Sequence, residues 1–112
     1  MRAARYLLPL LLILFIHCNT PRKIPYRVKQ GYRFELHMGD AGEIHVIGAW
    51  NNWQRGVHTM HRWGSYYWLD LDLPQGRHEY VFSGDAGRIM PENIAETIED
   101  GFGGVSAVAV VE

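Results

Sequence analysis

Two tryptophans and two asparagines are crowded into Gly48-Ala49-Trp50-Asn51-Asn52-Trp53. These residue types suit a sugar. An indole stacks on the apolar C–H face of a pyranose, and an amide side chain hydrogen-bonds its hydroxyls. A tryptophan at a strand end serves equally as a plug for the core or its rim, so the motif alone leaves both roles open. Other chemistries find less support. Six histidines are present, but none has the spacing of a zinc site. His58 and His61 are three apart in an extended stretch and point to opposite faces. Glu92, Glu96, Glu99 and Asp100 form an acidic run without cation-loop spacing. Ser65, Ser83 and Ser106 lack the context of a nucleophile elbow. No lysine or helix start follows Gly101–Gly104, so the glycines are not a phosphate loop. The sequence therefore predicts no catalytic residue, no metal and no cofactor.

The N-terminus carries a second kind of signal. Arg2 and Arg5 precede a leucine-rich run from Tyr6 to Ile16. A bilayer span takes about 20 apolar residues, so this run fits a secretory signal peptide better. Cys18 follows directly and is the only cysteine. It has no partner for an internal disulfide. Its position resembles the lipidated first residue of a bacterial lipoprotein. His17 stands where such signals usually carry a small residue, but no small-x-small site offers another cleavage point. The expected organisation is a signal peptide at 1–17, a lipid-anchored tether at 18–25 bracketed by Pro21 and Pro25, and one domain at 26–112. Acyl chains would anchor that domain to a membrane without a spanning helix. The expected localisation is the bacterial cell envelope. Removing Arg2 and Arg5 from 11 basic residues leaves nine against 12 acidic ones, a net charge of −3. With no basic patch, no nucleic-acid partner is expected.

The elements that must position these residues repeat every two residues. Tyr26 and Val28, then Tyr32, Phe34 and Leu36, predict an extended segment broken at Gly31. Ile44 and Val46 predict a second strand ending at Gly48, and His58–Arg62 a short third. Tyr67, Leu69 and Leu71 alternate with Tyr66, Trp68 and Asp70 as a half-buried strand. Pro74-Gln75-Gly76 is a turn, after which His78–Phe82 is expected to close a hairpin. Pro91–Glu99 is expected to be irregular. Val105–Val111 predicts a last strand, apolar on both faces. Short strands punctuated by turns imply a β-sandwich or barrel. The predicted core includes Val46, Leu69, Leu71, Tyr80, Phe82 and Val105.

Three motifs, in order, carry a resemblance to a known family. Gly48–Trp53 resembles the G-x-F-N-N-W signature of the glycogen-binding domain of AMP-activated protein kinase β subunits and of the related family 48 carbohydrate-binding modules. Leu71-Asp72-Leu73-Pro74-Gln75-Gly76 through Tyr80 and Phe82 resembles the family's L-x-L-P-x-G-x-x-x-Y-x-F stretch. Asp100-Gly101-Phe102-Gly103-Gly104 is similar to its D-G-F-G-G segment. The resemblance implies an all-β, immunoglobulin-like, early-set β-sandwich that binds an α-glucan or another envelope glycan.

Carried over residue by residue, the family's first stacking tryptophan falls on Trp53, beside Asn52. Its second falls on Ile89, which has no ring. Its lysine falls on Val81, which cannot donate to a hydroxyl. The loop residue that threads into the sugar chain falls on Phe102, and the capping asparagine on Ser106. Losses at Val81 and Ile89 imply weak glycan binding. The alternation also turns Trp68 and Asp70 outward, where Trp68 is expected near Val81 as a relocated platform or as a surface brace. Two functions therefore remain: a membrane-anchored, non-catalytic glycan-binding module, or a structural domain that has lost sugar binding and holds an envelope protein.

Overall fold

The computed structural model describes residues 22–91 and 93–112. Cys18, His17 and the apolar run before them lie outside the described residues. The described chain forms nine strands and one short 3-10 turn. The strands are β1 (Tyr26–Val28), β2 (Gly31–His37), β3 (His45–Gly48), β4 (His61–Trp63) and β5 (Tyr66–Leu71), then β6 (Gly76–Gly84), β7 (Gly87–Ile89), β8 (Thr97–Glu99) and β9 (Val105–Val111). One sheet has the order β1-β2-β5-β4; the other runs β3-β6-β9-β8, with β7 paired to β6. All strand pairings are antiparallel. The all-β sandwich expected from the alternation is the fold observed. No helix among the described residues is long and apolar enough to cross a membrane.

Period-two alternation puts one face of each sheet inward. From the first sheet come Phe34, Leu36, Tyr67, Leu69 and Leu71; from the second come Val46, Tyr80, Phe82, Ala107 and Ala109. Phe34 meets Tyr80 edge-on across the gap at 4.9 Å, and Tyr80 meets Phe82 edge-on at 5.6 Å. Edge-to-face contacts of this kind are favoured by the ring quadrupole. Ala107, paired with Tyr80 on β9, is small enough to leave these rings room. At the β1–β2 corner Gly31 has φ 109°, and a Cβ there would lie 2.4 Å from the Leu71 carbonyl oxygen. Only glycine fits that approach.

Four expectations need correction. Strands β5 and β6 do not form a hairpin. Both edges of β5 are already occupied, by β2 and β4. The chain must therefore open a second sheet, and it crosses over through buried Leu73 and Pro74. Val105 is 43% exposed rather than core. It shares the inward side with Ala107, but the β6–β9 pairing ends at Tyr80↔Ala107, so Val105 overhangs the sandwich. Within the stretch expected to be irregular, Thr97–Glu99 is a strand, paired with β9. Finally, the folded unit begins earlier than expected. Ile24 is fully buried in the core. Its N–H donates to the Asn93 carbonyl at 3.0 Å, and its own carbonyl accepts from Ala95 at 3.4 Å. The folded unit thus takes in Ile24 and Pro25.

Candidate functional site

The turn after β3 divides its aromatic and amide residues between two tasks. Trp50 turns inward, with its ring 5.9 Å from Phe34 and 6.2 Å from Tyr80. It lies so close over Gly48 that a Cβ there would sit 2.4 Å from the indole. Asn51 is buried and spends its amide on the backbone. Its Oδ1 accepts from the Gly48 N–H at 3.1 Å, and its Nδ2 donates to the Val46 carbonyl at 3.3 Å. The Trp53 N–H closes the turn onto the Gly48 carbonyl at 3.0 Å. These bonds hold Asn52 and Trp53 at φ 57° and 59°. Two consecutive non-glycine residues in the left-handed region are uncommon, and such conformations cost of order 1–3 kcal/mol each. The strain delivers an indole that is 43% exposed, with the exposed Asn52 beside it. Plug and platform are both present in this motif: Trp50 is the first and Trp53 is placed to be the second.

The loop before β9 is built around one carboxylate. Asp100 Oδ1 accepts from the backbone N–H groups of Phe102 at 2.8 Å and Gly104 at 3.0 Å. Its Oδ2 accepts from Arg88 Nη1 at 3.1 Å. Gly104 permits this, since a Cβ there would fall 2.6 Å from Asp100 Oδ2. The Phe102 and Gly104 amides, followed by Arg88, hold the Asp100 carboxyl below the usual carboxylate range. The result is a phenyl ring 94% exposed at the tip of a fastened loop.

The two loops are tied to neighbouring strands, β6 and β7. Arg55, in the loop that carries Trp53, donates to the Gly84 carbonyl at 3.4 Å, and Gly84 ends β6. From β7, Arg88 reaches Asp100. The register Ser83↔Arg88 and Phe82↔Ile89 decides which side chain faces out of the second sheet. Phe82 is core, so Ile89 faces inward and packs on the core cluster, while Arg88 takes the outer face. The second stacking position was expected on Ile89; a two-residue turn at Asp85-Ala86 fixes the register that turns it away. Arg88 was missed, although the same turn and the inward Phe82 make its orientation readable. Val81 lies on the outer side next to Ile47, yet both are buried, as is Ser106. The Ser106 side chain is therefore not open to a ligand.

Trp68 is elsewhere. It sits on the outer face of the first sheet, because β5 and β6 belong to different sheets. The expectation that it stands near Val81 is corrected. Arg33 lies over its ring at 4.9 Å and His61 packs on it at 4.5 Å. Asp70, turned outward as the alternation predicts, is held by Arg33 through two bonds of 2.7 and 2.9 Å. Among the described residues, no three His, Cys, Asp or Glu side chains converge to hold a metal. Within the acidic run, Glu96 pairs with Arg77 and Asp100 with Arg88; Glu92 lies outside the described residues.

A two-sheet sandwich with aromatic rings raised on ordered loops beside one sheet is the build of a carbohydrate-binding domain, a class that is typically non-catalytic. The particular family follows from comparison: a family model described as the glycogen recognition site of AMP-activated protein kinase matches residues 32–112, and the chain belongs to that family. No curated protein matches the chain.

Proposed function

We propose that the domain is a non-catalytic module that binds an α-glucan or another cell-envelope glycan weakly, on the loop face of Trp53, Asn52 and Phe102. The observation that carries this reading is Phe102, whose ring is 94% exposed while three hydrogen bonds to Asp100 fasten its loop. A ring held ready in water loses little entropy on stacking against a sugar. Weakness follows from the middle of the face. Val81 has no donor, and Ile89 is turned inward. Arg88 restores a donor on the face but not a second indole.

Calorimetric titration with maltoheptaose and glycogen tests the reading. Binding to maltoheptaose is expected near the millimolar range, about −4 kcal/mol. Phe102→Ala and Trp53→Ala should each weaken it by about tenfold, in line with the energy of one aromatic contact. Unchanged affinity in both variants would overturn the assignment of this face.

The same proposal includes an anchor. Lipid on Cys18, directly after the apolar run, would hold the domain at a bacterial membrane. With Ile24 already in the core, few residues lie between the anchor and the fold. Cys18→Ser should release the protein from the membrane fraction or leave the leader uncleaved. Normal processing and membrane partition in that variant would remove the anchor from the model.

A further inference from the structure

The outer face of the first sheet is as rich in rings as the loop face. Residues paired directly across strands point to the same side. The register His37↔Tyr66↔Trp63 therefore lays three rings in a row across β2, β5 and β4. Strands sit about 4.8 Å apart, so the row spans roughly 10 Å. The next row adds Trp68 and His61. Trp63, on the edge strand, is 82% exposed.

Most charges on this face are spent within it. Arg33 and Asp70 form a two-bond pair. Glu35 Oε2 accepts from the hydroxyls of Tyr26 at 2.7 Å and Tyr66 at 2.6 Å. Burial first, then the Glu35 carboxylate, pushes both phenols up, which keeps them protonated and donating. A polyanion needs a cluster of unpaired cations, and besides the paired Arg33 this face has a single guanidinium at its margin, Arg22 over the Tyr26 ring at 4.8 Å. A protein interface excludes charge from its centre, and this face keeps an ion pair and a carboxylate among its rings. What remains complementary is an uncharged ligand with apolar C–H faces and many hydroxyls.

One segment of chain also links the two ring-bearing regions. The segment that leaves Trp53 pairs with β3 through His45↔Thr59, with Val46 N–H on the His58 carbonyl at 2.9 Å. It then crosses the edge of the sandwich and becomes β4, which carries His61 and Trp63 beside β5.

We infer that Trp63, with Tyr66 and Trp68 behind it, forms a second binding surface for an uncharged glycan chain, reached around the sandwich edge from the loop face. The inference rests on the reading of this chain as a glycan-binding module but not on the loop face being occupied. Two surfaces on one domain let a polymer engage both, raising its apparent affinity over that of a short oligosaccharide.

The test uses the purified full chain with maltoheptaose, cellohexaose, chitohexaose and glycogen as probes and heparin as a polyanion control. Two binding events per chain are expected for at least one neutral probe. Trp63→Ala should remove one event and weaken glycogen binding by about tenfold, leaving the Trp53-dependent event intact. Trp53→Ala should leave the Trp63-dependent event, visible as shifts of the Trp63 indole and His37 ring resonances on titration. Trp63 is exposed, so an unchanged circular dichroism spectrum separates loss of binding from loss of fold. The proposal is overturned if Trp63→Ala leaves stoichiometry and affinity unchanged, or if heparin is the preferred ligand. It is also overturned if Trp63→Ala instead converts a dimer to a monomer in light scattering. Binding abolished by Trp63→Ala and untouched by Trp53→Ala would sink the loop-face reading alone, and no binding of any probe would sink both.

Discussion

At the scale of single residues, the loop face spends stability on presentation. Trp53 holds φ 59° with a full side chain, where glycine would carry no Cβ penalty. Trp53→Gly should therefore raise stability by about 1 kcal/mol in chemical denaturation while binding at the loop face weakens by about tenfold. A destabilised variant would mean that the indole packs more than it presents. Asp100 makes a pH-dependent claim of similar kind. Its folded-state value lies below the ordinary one, so its contribution is present above about pH 3.9. That contribution is lost as pH falls through the lowered folded value. Amide exchange at Phe102 and Gly104 should stay slow, and glycan affinity flat, past about pH 4, and both should collapse together only as pH falls through that lowered value. Residue types made Trp53 and Phe102 legible as ring candidates. They did not reveal that Asn51 rather than Asn52 locks the turn, because that depends on which amide is buried.

At the scale of elements, alternation showed where strands are and which side of each is apolar, but not which strands pair. The Leu71–Phe82 stretch has a turn between two alternating runs and reads as a hairpin. The β4–β5 pairing is a local hairpin through Gly64-Ser65, but the β2–β5 pairing is non-local, and no short-range pattern announces that both edges of β5 are taken. Trp68 was misplaced for this reason alone. The β6–β7 turn is the opposite case. Gly84-Asp85-Ala86-Gly87 is local, and its two-residue loop sets the register that puts Arg88 outside and Ile89 inside. This gives a paired expectation. Arg88→Trp should set an indole on the open face and raise α-glucan affinity by about tenfold, with the fold intact. Ile89→Trp should gain no affinity and lose roughly 1–3 kcal/mol by overpacking the core. The reverse outcome in calorimetry and thermal melts would show that β7 runs one residue out of this register.

At the scale of the whole molecule, the sandwich begins earlier than its sequence suggests. Ile24 is isolated between polar residues and prolines, so no periodicity marks it as core. Its burial depends on Asn93 and Ala95, far away in the chain. Ile24→Ala should cost about 2–5 kcal/mol, as buried aliphatic truncations do, measured by urea unfolding of the full chain. A loss under 1 kcal/mol, the range of ordinary surface changes, would return Ile24 to the tether.

That early entry has a mechanical side. Were Cys18 fixed in a membrane and a glycan held at the far loops, tension would run into the domain through Ile24 and then β1. Strand β1 is only three residues long and pairs with β2 alone. A pull directed away from the sheet would unzip its bonds one after another, starting at Tyr26↔Arg33 and ending at Val28↔Gly31. There the peeling meets β2, which is clamped along its other edge by β5 from Tyr32 to His37. Once Ile24 has left the core, β1 is thus placed as the first strand to yield, a strip that lengthens the leash while the sandwich behind it keeps hold of its load.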